Sequence, residues 1–151
     1  MHIAEELLTD TMPQTGTPFM ASLEIFALHR GGKSAEAIER IRRTWGGMLK
    51  RDATTFFEAF NEKSTEAEML SFYGRPYAMS LCHAWSSGPA ALLPLLAFGC
   101  EPISDGWATY HVAATSPVPN VCATVPAGTA TLCLKATAGQ IESDKFEAPV
   151  T

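Results

Sequence analysis

The chain has 151 residues, of which 46% are hydrophobic and 18% are charged, and its formal net charge is −5. A chain of this length can bury a sizeable core, and this composition excludes an intrinsically disordered protein. The negative charge argues against a nucleic-acid partner, because little positive charge is available to neutralise phosphates. Five basic residues do cluster, and we interpret them as the solvated face of a helix: Arg40, Arg42, Arg43, Lys50 and Arg51.

The N-terminus and the cysteines limit the function further. No secretory signal is visible, so the compartment stays open, with the cytoplasm as the default. The longest apolar run, residues 89–98, is too short to span a bilayer, and we expect no membrane contact. The four cysteines have no CxxC spacing, which argues against a metal site and favours scattered buried thiols: Cys82, Cys100, Cys122 and Cys133. We expect no cofactor.

Helical signals dominate the first part of the chain. Residues 1–8 are compatible with either a short helix or a strand. Thr17 is a typical N-cap residue with Pro18 at the first helical position, and glycines at 31 and 32 stop the pattern. This predicts a helix over Pro18–Arg30. Its apolar residues lie nearly all round it, so we expect neighbours on several sides and an exposed apolar patch where a neighbour is lacking.

A second helix follows closely and completes a helical hairpin that ends near residue 51. Ser34 is its predicted N-cap, and one apolar stripe recurs at helical spacing: Ile38, Ile41, Trp45, Met48 and Leu49. We assign Trp45 to the core. Gly46 and Gly47 each cost roughly 1 kcal/mol within a helix, which close packing against another backbone would explain.

The middle of the chain is less regular. Residues 61–68 are polar and acidic, which is typical of a surface loop or a short helix. Pro89 marks a helix start and Gly99 its end, whereas Pro94 predicts either a kink or an interrupted start.

The pattern changes from helical to alternating after residue 100. Alternation predicts strands over residues 107–113, 120–125 and 129–136, with a hairpin turn at 126–128 and weak patterning over 140–151. One face of the last of these strands is apolar: Ala130, Leu132, Leu134 and Ala136. The predicted fold class is therefore α+β, with helical hairpins over residues 1–100 and a small antiparallel β region over residues 101–151. The boundary is expected near residues 100–105.

Two stretches carry the polar side chains that suit chemistry. Residues 52–60, DATTFFEAF, place Glu58 behind two threonines and two phenylalanines, and residues 80–94 read SLCHAWSSGPAALLP. A carboxylate beside aromatic rings can have its pKa tuned by desolvation, which suits general acid or base catalysis. A single Glu in an apolar segment is more often a structural group hydrogen-bonded to backbone, so the second stretch is what favours a site.

The order of these stretches resembles that of the α-L-rhamnosidases of glycoside hydrolase family 78. In that family a G-T-P-Y-like element opens a helix, a helix ending in W-G-x-M-L follows, and G-A-T-T-x-W-E and S-L-C-H-x-W-S-x-G-P come next. The matching runs here are GTPF at 16–19, WGGML at 45–49, DATTFFE at 52–58 and SLCHAWSSGP at 80–89. A P-x-x-x-G-W turn follows at 102–107, and the resemblance extends over residues 16–134.

The resemblance implies both a fold and a mechanism. The catalytic domain of the family is a barrel of six helix pairs, followed by a β-sandwich, and its reaction inverts the anomeric centre. Inversion needs a base that activates water and an acid that protonates the leaving oxygen, with the two carboxyls about 6.5–9.5 Å apart. By this resemblance Glu58 is the base, and His83 and Trp85 line the sugar site. Phe57 is a further substrate-binding candidate, although the family usually has Trp there, and Asp52 stands where it usually has Gly.

In the family the general acid lies far upstream of the region that this chain resembles, so no residue here matches it. Four other carboxylates are available, but none lies in a recognisable motif: Glu24, Glu62, Glu66 and Glu68. We therefore expect a fragment, subunit or repurposed relative of an inverting hydrolase of α-L-rhamnosides. It would bind a carbohydrate, and a second copy or a partner chain would cover its exposed apolar helix faces. The alternative is a non-hydrolytic small-molecule-binding or scaffold protein, with a pocket lined by aromatic residues: Phe56, Phe57, Phe72, Tyr73 and Trp85.

Overall fold

The computed structural model describes residues 2–9 and 16–147 and contains both helices and antiparallel sheets, which confirms the predicted α+β class. The helices are α1 (His2–Glu6), α2 (Pro18–Arg30), α3 (Ser34–Leu49), α4 (Glu66–Leu70) and α5 (Pro89–Phe98), with 3₁₀ turns at Ala84–Ser86 and Asp105–Trp107. The strands are β1 (Glu101–Pro102), β2 (Tyr110–His111), β3 (Asn120–Ala127), β4 (Ala130–Thr137) and β5 (Gln140–Glu147).

The chain divides into two compact units, Met1–Leu92 and Leu93–Thr151. The first unit contains α1 to α4, and the second contains all the strands named above. Helix α5 ends at Phe98 and β1 begins at Glu101, so the change from helix to strand falls at residues 99–100. Among the described residues, no helix has the length and apolar character needed to cross a membrane.

Helix α2 has the limits that the sequence predicts. The Thr17 hydroxyl accepts a hydrogen bond from the Met20 amide at 3.5 Å, and Pro18 is the first helical residue. Gly32, with a φ of +76°, follows the last turn in the left-handed conformation typical of a helix end. The Cα of Gly31 lies so close to α1 that a Cβ there would be 2.2 Å from the Ala4 side chain.

The side chains of α2 fall into a packed set and an exposed set. Ala21, Ile25 and Leu28 are buried. Four large apolar side chains are 42–52% exposed, and we call them the α2 apolar face: Phe19, Met20, Leu23 and Phe26. The exposed apolar patch expected from the sequence is therefore present on this helix.

Helix α3 packs against α2 but differs from its prediction at both ends. Lys33 is the N-cap residue, not Ser34, because the Ser34 hydroxyl lies 2.9 Å from Nδ1 of His29 and caps no backbone amide. The predicted stripe is buried except for Leu49, which is the last helical residue and is 69% exposed. The buried members are Ile38, Ile41, Trp45 and Met48.

The two glycines of α3 have different surroundings. A Cβ at Gly47 would lie 2.5 Å from the Phe60 ring, so only a glycine leaves room for that ring. The prediction that another backbone packs against this glycine is wrong, because its neighbour is a side chain. A Cβ at Gly46 would meet nothing within 4 Å. Packing therefore explains Gly47 but not Gly46.

The remaining helices are short. Helix α4 begins with a capping box, in which the Thr65 hydroxyl accepts a hydrogen bond from the Glu68 amide and the Glu68 carboxylate accepts one from the Thr65 amide. Helix α5 starts at Pro89 and continues through Pro94, so its start is not interrupted. Gly99, with a φ of +58°, follows its last residue as predicted.

The second unit contains a three-stranded antiparallel sheet in the order β3-β4-β5 and a two-stranded ladder of β1 and β2. The predicted apolar face of β4 is confirmed, because Ala130, Leu132, Leu134 and Ala136 are all buried. These side chains form a core with residues from α5, the segment that follows it and β3: Ala97, Phe98, Cys100, Val125 and Ala127. The other three cysteines, Cys82, Cys122 and Cys133, are exposed, so the prediction of buried thiols holds for Cys100 alone.

The strand predicted over residues 107–113 is reduced to Tyr110–His111. Gly106 and Trp107 have φ values of +63° and +62°, and this left-handed pair breaks the extended chain that the alternation suggested. The alternation of apolar and polar residues did not predict this turn.

The larger sheet contains one hairpin that is tighter than predicted and one that was not predicted. Pro126 and Ala127, assigned to a turn, pair with β4, which leaves Gly128 and Thr129 to connect the strands. The weakly patterned end of the chain contains β5, which the sequence did not predict. It is reached through Ala138 and Gly139, whose φ values of +50° and +81° form a tight turn without the Asn or Asp that usually marks one.

Candidate functional site

The two stretches that carry the chemistry lie side by side in the first unit. The Glu58 amide donates to the Ser80 carbonyl at 2.9 Å, and the His83 amide donates to the Phe56 carbonyl at 2.8 Å. The Thr55 hydroxyl also donates to the Leu81 carbonyl. These bonds hold residues 55–58 against residues 80–83, so segments more than twenty residues apart in sequence form one structure.

The turn that leads into the first stretch is a Schellman motif at the end of α3. The Ala53 amide donates to the Met48 carbonyl at 3.2 Å, and the Asp52 amide donates to the Leu49 carbonyl at 3.1 Å. Asp52 has a φ of +55°, a conformation that glycine adopts without strain and that Asp tolerates better than most residues. Asp52, which stands where the rhamnosidase pattern usually has Gly, therefore occupies a position that favours glycine.

Glu58 is 8% exposed, and both of its carboxylate oxygens accept hydrogen bonds. Oε1 accepts from the Tyr73 hydroxyl, and Oε2 accepts from the Ser80 amide at 2.9 Å. Nδ1 of His83 lies 3.9 Å from Oε2, which is too long for a hydrogen bond but close enough for an ion pair when the ring is protonated. The carboxylate is thus held by two segments of chain, the one that carries Tyr73 and residues 80–83.

These contacts set the protonation state of Glu58. The hydrogen bond from Tyr73 lowers the pKa of the carboxyl most, followed by the bond from the Ser80 amide, and these outweigh the effect of burial, which raises the pKa. A protonated His83 lowers it further. The pKa of Tyr73 is raised in turn, because its hydroxyl donates to a carboxylate. Glu58 is therefore ionised at neutral pH, as a general base must be and a general acid must not.

An aromatic side chain lies against the ring of His83. The rings of His83 and Trp85 lie 4.3 Å apart, and those of Trp85 and Phe19 lie 5.9 Å apart. Trp85 is 49% exposed, so part of its ring is available to a ligand. The turn that carries Trp85 is fixed by buried Trp45, whose Nε1 donates to the Ser86 carbonyl at 2.7 Å. Trp45 is therefore part of the core.

Phe57 occupies a different environment from the other predicted site residues. It is 7% exposed and lines a cavity of about 560 Å³ together with Thr54, Met69 and Leu81. Glu58, His83 and Trp85 do not line that cavity. The structure therefore brings Glu58, His83 and Trp85 together and places Phe57 apart from their polar groups.

The sequence did not identify the group with the largest effect on Glu58. Tyr73 was expected only as an aromatic wall of a pocket, yet its hydroxyl reaches the carboxylate from the segment after α4. The only signal was the aromatic composition of residues 72–77, which does not specify a hydrogen bond.

No second carboxylate contacts Glu58 within the described part of the chain. Glu24 forms an ion pair with Arg40, and Glu68 is engaged in the capping box of α4. Glu62 and Glu66 are exposed. The same described residues contain no group of three or more His, Cys, Asp or Glu side chains that could hold a metal ion.

No family model matches this chain, and no curated protein matches it. The resemblance to the α-L-rhamnosidases therefore rests on the residue runs quoted above alone.

Proposed function

We propose that the chain is a fragment, subunit or repurposed relative of an inverting glycoside hydrolase that acts on α-L-rhamnosides, with Glu58 as its general base. One observation carries the proposal. The Glu58 carboxylate is kept ionised by Tyr73 and Ser80, and His83, which lies beside it, packs against the half-exposed Trp85. A carboxylate, an imidazole and an exposed aromatic face are the groups that recognise and activate a sugar and a water molecule.

In this proposal Glu58 accepts a proton from a water molecule as the water oxygen attacks the anomeric carbon. Each carboxylate oxygen has further lone pairs beyond the one bond it accepts here, so a water molecule has an acceptor available. His83 donates or accepts a hydrogen bond with a sugar hydroxyl, and Trp85 packs against the sugar ring. An acid on another chain protonates the leaving oxygen, because Glu58 contacts no second carboxyl within the described residues.

The lack of such a carboxyl favours a second candidate, a non-hydrolytic protein that binds a sugar or another small molecule at the same residues. The ring of Trp85 and the polar atoms of Glu58 and His83 would then serve recognition alone. The ionised Glu58 would accept hydrogen bonds from the ligand and would transfer no proton.

Hydrolysis of a chromogenic α-L-rhamnoside by the purified chain tests the first candidate. The matched variants are Glu58→Gln, which removes the base but keeps the shape, and Glu62→Gln, which alters an exposed carboxylate outside the site. Turnover that Glu58→Gln abolishes and Glu62→Gln retains supports the hydrolase. Equal turnover in both variants contradicts the role of Glu58, and no turnover in any of the proteins shows that this chain alone does not complete the pair of carboxyls.

We also propose that the α2 apolar face is covered by a second copy or a partner chain. Its four side chains are 42–52% exposed, and Phe19 at one end contacts the Trp85 ring. Burying apolar surface of this kind drives association at about 25 cal/mol per Å² before the costs of binding are subtracted. A partner on this face would border the proposed sugar site.

A further inference from the structure

The outer side of α3 carries a groove that the proposed function does not use. Its volume is about 770 Å³, within the range of small-molecule pockets. Four cations line it, together with two carboxylates: Arg42, Arg43, Lys50, Arg51, Glu39 and Glu62. Gly46, Gly47 and the Phe60 ring complete its surface, and we call it the basic groove.

The charge of the basic groove is opposite to that of the whole chain. Its cations outnumber its carboxylates, whereas the net charge of the chain is −5. Arg42 pairs with Glu39 at 3.6 Å, but both side chains are 65% exposed, and such pairs are worth little. Within residues 2–9 and 16–147, Arg43 and Lys50 form no ion pair, so two charges are available to a ligand.

The wall of the groove is held in place by the fold. Arg51 donates to the Ser64 carbonyl at 2.6 Å, and its guanidinium lies 5.3 Å from the centre of the Phe60 ring. The Phe60 ring in turn packs where a side chain at Gly47 would be. The groove therefore has one fixed cation and an aromatic surface, in addition to the exposed Arg43 and Lys50.

Gly46 keeps the middle of the groove free of a side chain. A glycine inside a helix destabilises it relative to alanine. No packing contact in the described part of the chain requires Gly46, because a Cβ there would meet none of its atoms within 4 Å, and its φ is not in the left-handed region. Gly46 lines the groove between the turns that carry Arg43 and Lys50, so a side chain at this position would fill the space.

We propose that the basic groove binds a small organic anion, a molecule that carries a phosphate or carboxylate group on an apolar ring. The anionic oxygens bind Arg43 and Lys50 through charge-assisted hydrogen bonds. The ring lies over Gly46, toward Phe60. This site is independent of Glu58, and it stands whether or not the chain hydrolyses a glycoside.

Titration calorimetry with three phenyl compounds tests the proposal. Phenyl phosphate and benzoate carry the two candidate anionic groups, and phenyl β-D-glucoside carries the same ring without charge. We expect saturable binding of at least one anion, weakened by added salt, and no binding of the glucoside. The tighter of the two anions identifies the group that the site prefers. Absence of saturable binding for both anions overturns the proposal.

A pair of double variants with equal change in charge locates the site. Arg43→Gln with Lys50→Gln removes the two available cations, and Lys33→Gln with Lys63→Gln removes two cations outside the groove. We expect the first pair to weaken binding by about tenfold or more, since a hydrogen bond to a charged group is worth about 1.5–3 kcal/mol. Equal affinity of the two double variants contradicts the proposal.

Substitution of Gly46 tests the shape of the groove. Gly46→Leu fills it and is expected to abolish binding, and a urea unfolding midpoint at or above that of the wild type shows that the fold is intact. Gly46→Ala adds one carbon atom, so it serves as the readout if the leucine variant is unstable, with weaker binding expected. Wild-type affinity in a folded Gly46→Leu variant would contradict the proposal.

Discussion

The Tyr73 hydroxyl has the largest influence on the Glu58 carboxyl, ahead of the Ser80 amide and of burial. It reaches Oε1 from a segment in which the Tyr73 side chain is 51% exposed. The proton affinity of the candidate base therefore depends on a residue at the surface. A ligand that displaces Tyr73 would make Glu58 a stronger base.

The Tyr73→Phe variant is expected to raise the pKa of Glu58 toward its ordinary value of 4.5, because it removes the first of the bonds that lower it. Carbon-detected NMR titration of the glutamate carboxyls measures the shift. Tyr77→Phe is the matched control, since Tyr77 belongs to the same segment and is 83% exposed. An unchanged Glu58 pKa in Tyr73→Phe would show that the hydroxyl does not set it.

Glu58 also links stability to pH. Its pKa is lower in the folded chain than in the unfolded chain, so its contribution to the free energy of unfolding is fully present above pH 4.5 and is lost as the pH falls through its folded pKa. Glu58→Gln removes this contribution. We expect the difference in unfolding free energy between the wild type and the variant to shrink as the pH is lowered through this window.

Urea unfolding at a series of pH values measures that difference. Glu62→Gln, at an exposed carboxylate, provides the comparison for the general effect of losing one negative charge. If the difference in unfolding free energy between the wild type and Glu58→Gln stays constant through the acid range, the link between Glu58 and stability is contradicted.

At the scale of single elements, replacing each of the two glycines of α3 by alanine is expected to change the free energy of unfolding in opposite directions. Gly46→Ala should raise the free energy of unfolding by about 0.5–1 kcal/mol, because the new methyl group meets nothing and the helix gains propensity. Gly47→Ala should lower it by about 1–2 kcal/mol, because its Cβ would lie 2.5 Å from the Phe60 ring. Each variant is the control for the other, and equal changes would show that the Phe60 contact is not the cause.

The sequence predicted best those elements whose ends are marked by local chemistry. Thr17 and Pro18 define the start of α2, and Pro89 defines that of α5, because capping and proline geometry act within one turn. The alternation of β4 gave its buried face in the same way. Ser34 was misassigned because its hydroxyl is engaged by His29, a contact that is specific to the fold.

Local sequence patterns did not predict the features that depend on contacts between residues distant in sequence. Strand β5 has weak alternation and follows an Ala-Gly turn, so only its pairing with β4 defines it. In the site, the motif runs pointed to Glu58, His83 and Trp85, which the structure brings together. They gave no sign of Tyr73, whose hydroxyl approaches across fifteen residues of chain.

At the scale of the whole molecule, the α2 apolar face predicts association. Leu23 is 52% exposed within that face, and we expect Leu23→Glu to convert an associated species into monomer by placing a charge in the contact. Sedimentation velocity over a range of concentrations measures this. Ile103→Glu alters an exposed apolar residue outside the face and should leave the association unchanged. Sedimentation of the wild type as a monomer throughout would contradict the prediction.

Binding of L-rhamnose, followed by NMR of the indole N–H groups, tests the proposed sugar site most directly. The chain has three tryptophans, so half-exposed Trp85 can be compared with Trp107 in the other unit. We predict a saturable shift of the Trp85 signal, a stationary Trp107 signal, and affinity about tenfold weaker in His83→Ala. A Trp85 signal that does not move, or that moves equally in His83→Ala, would contradict a sugar site at Glu58, His83 and Trp85.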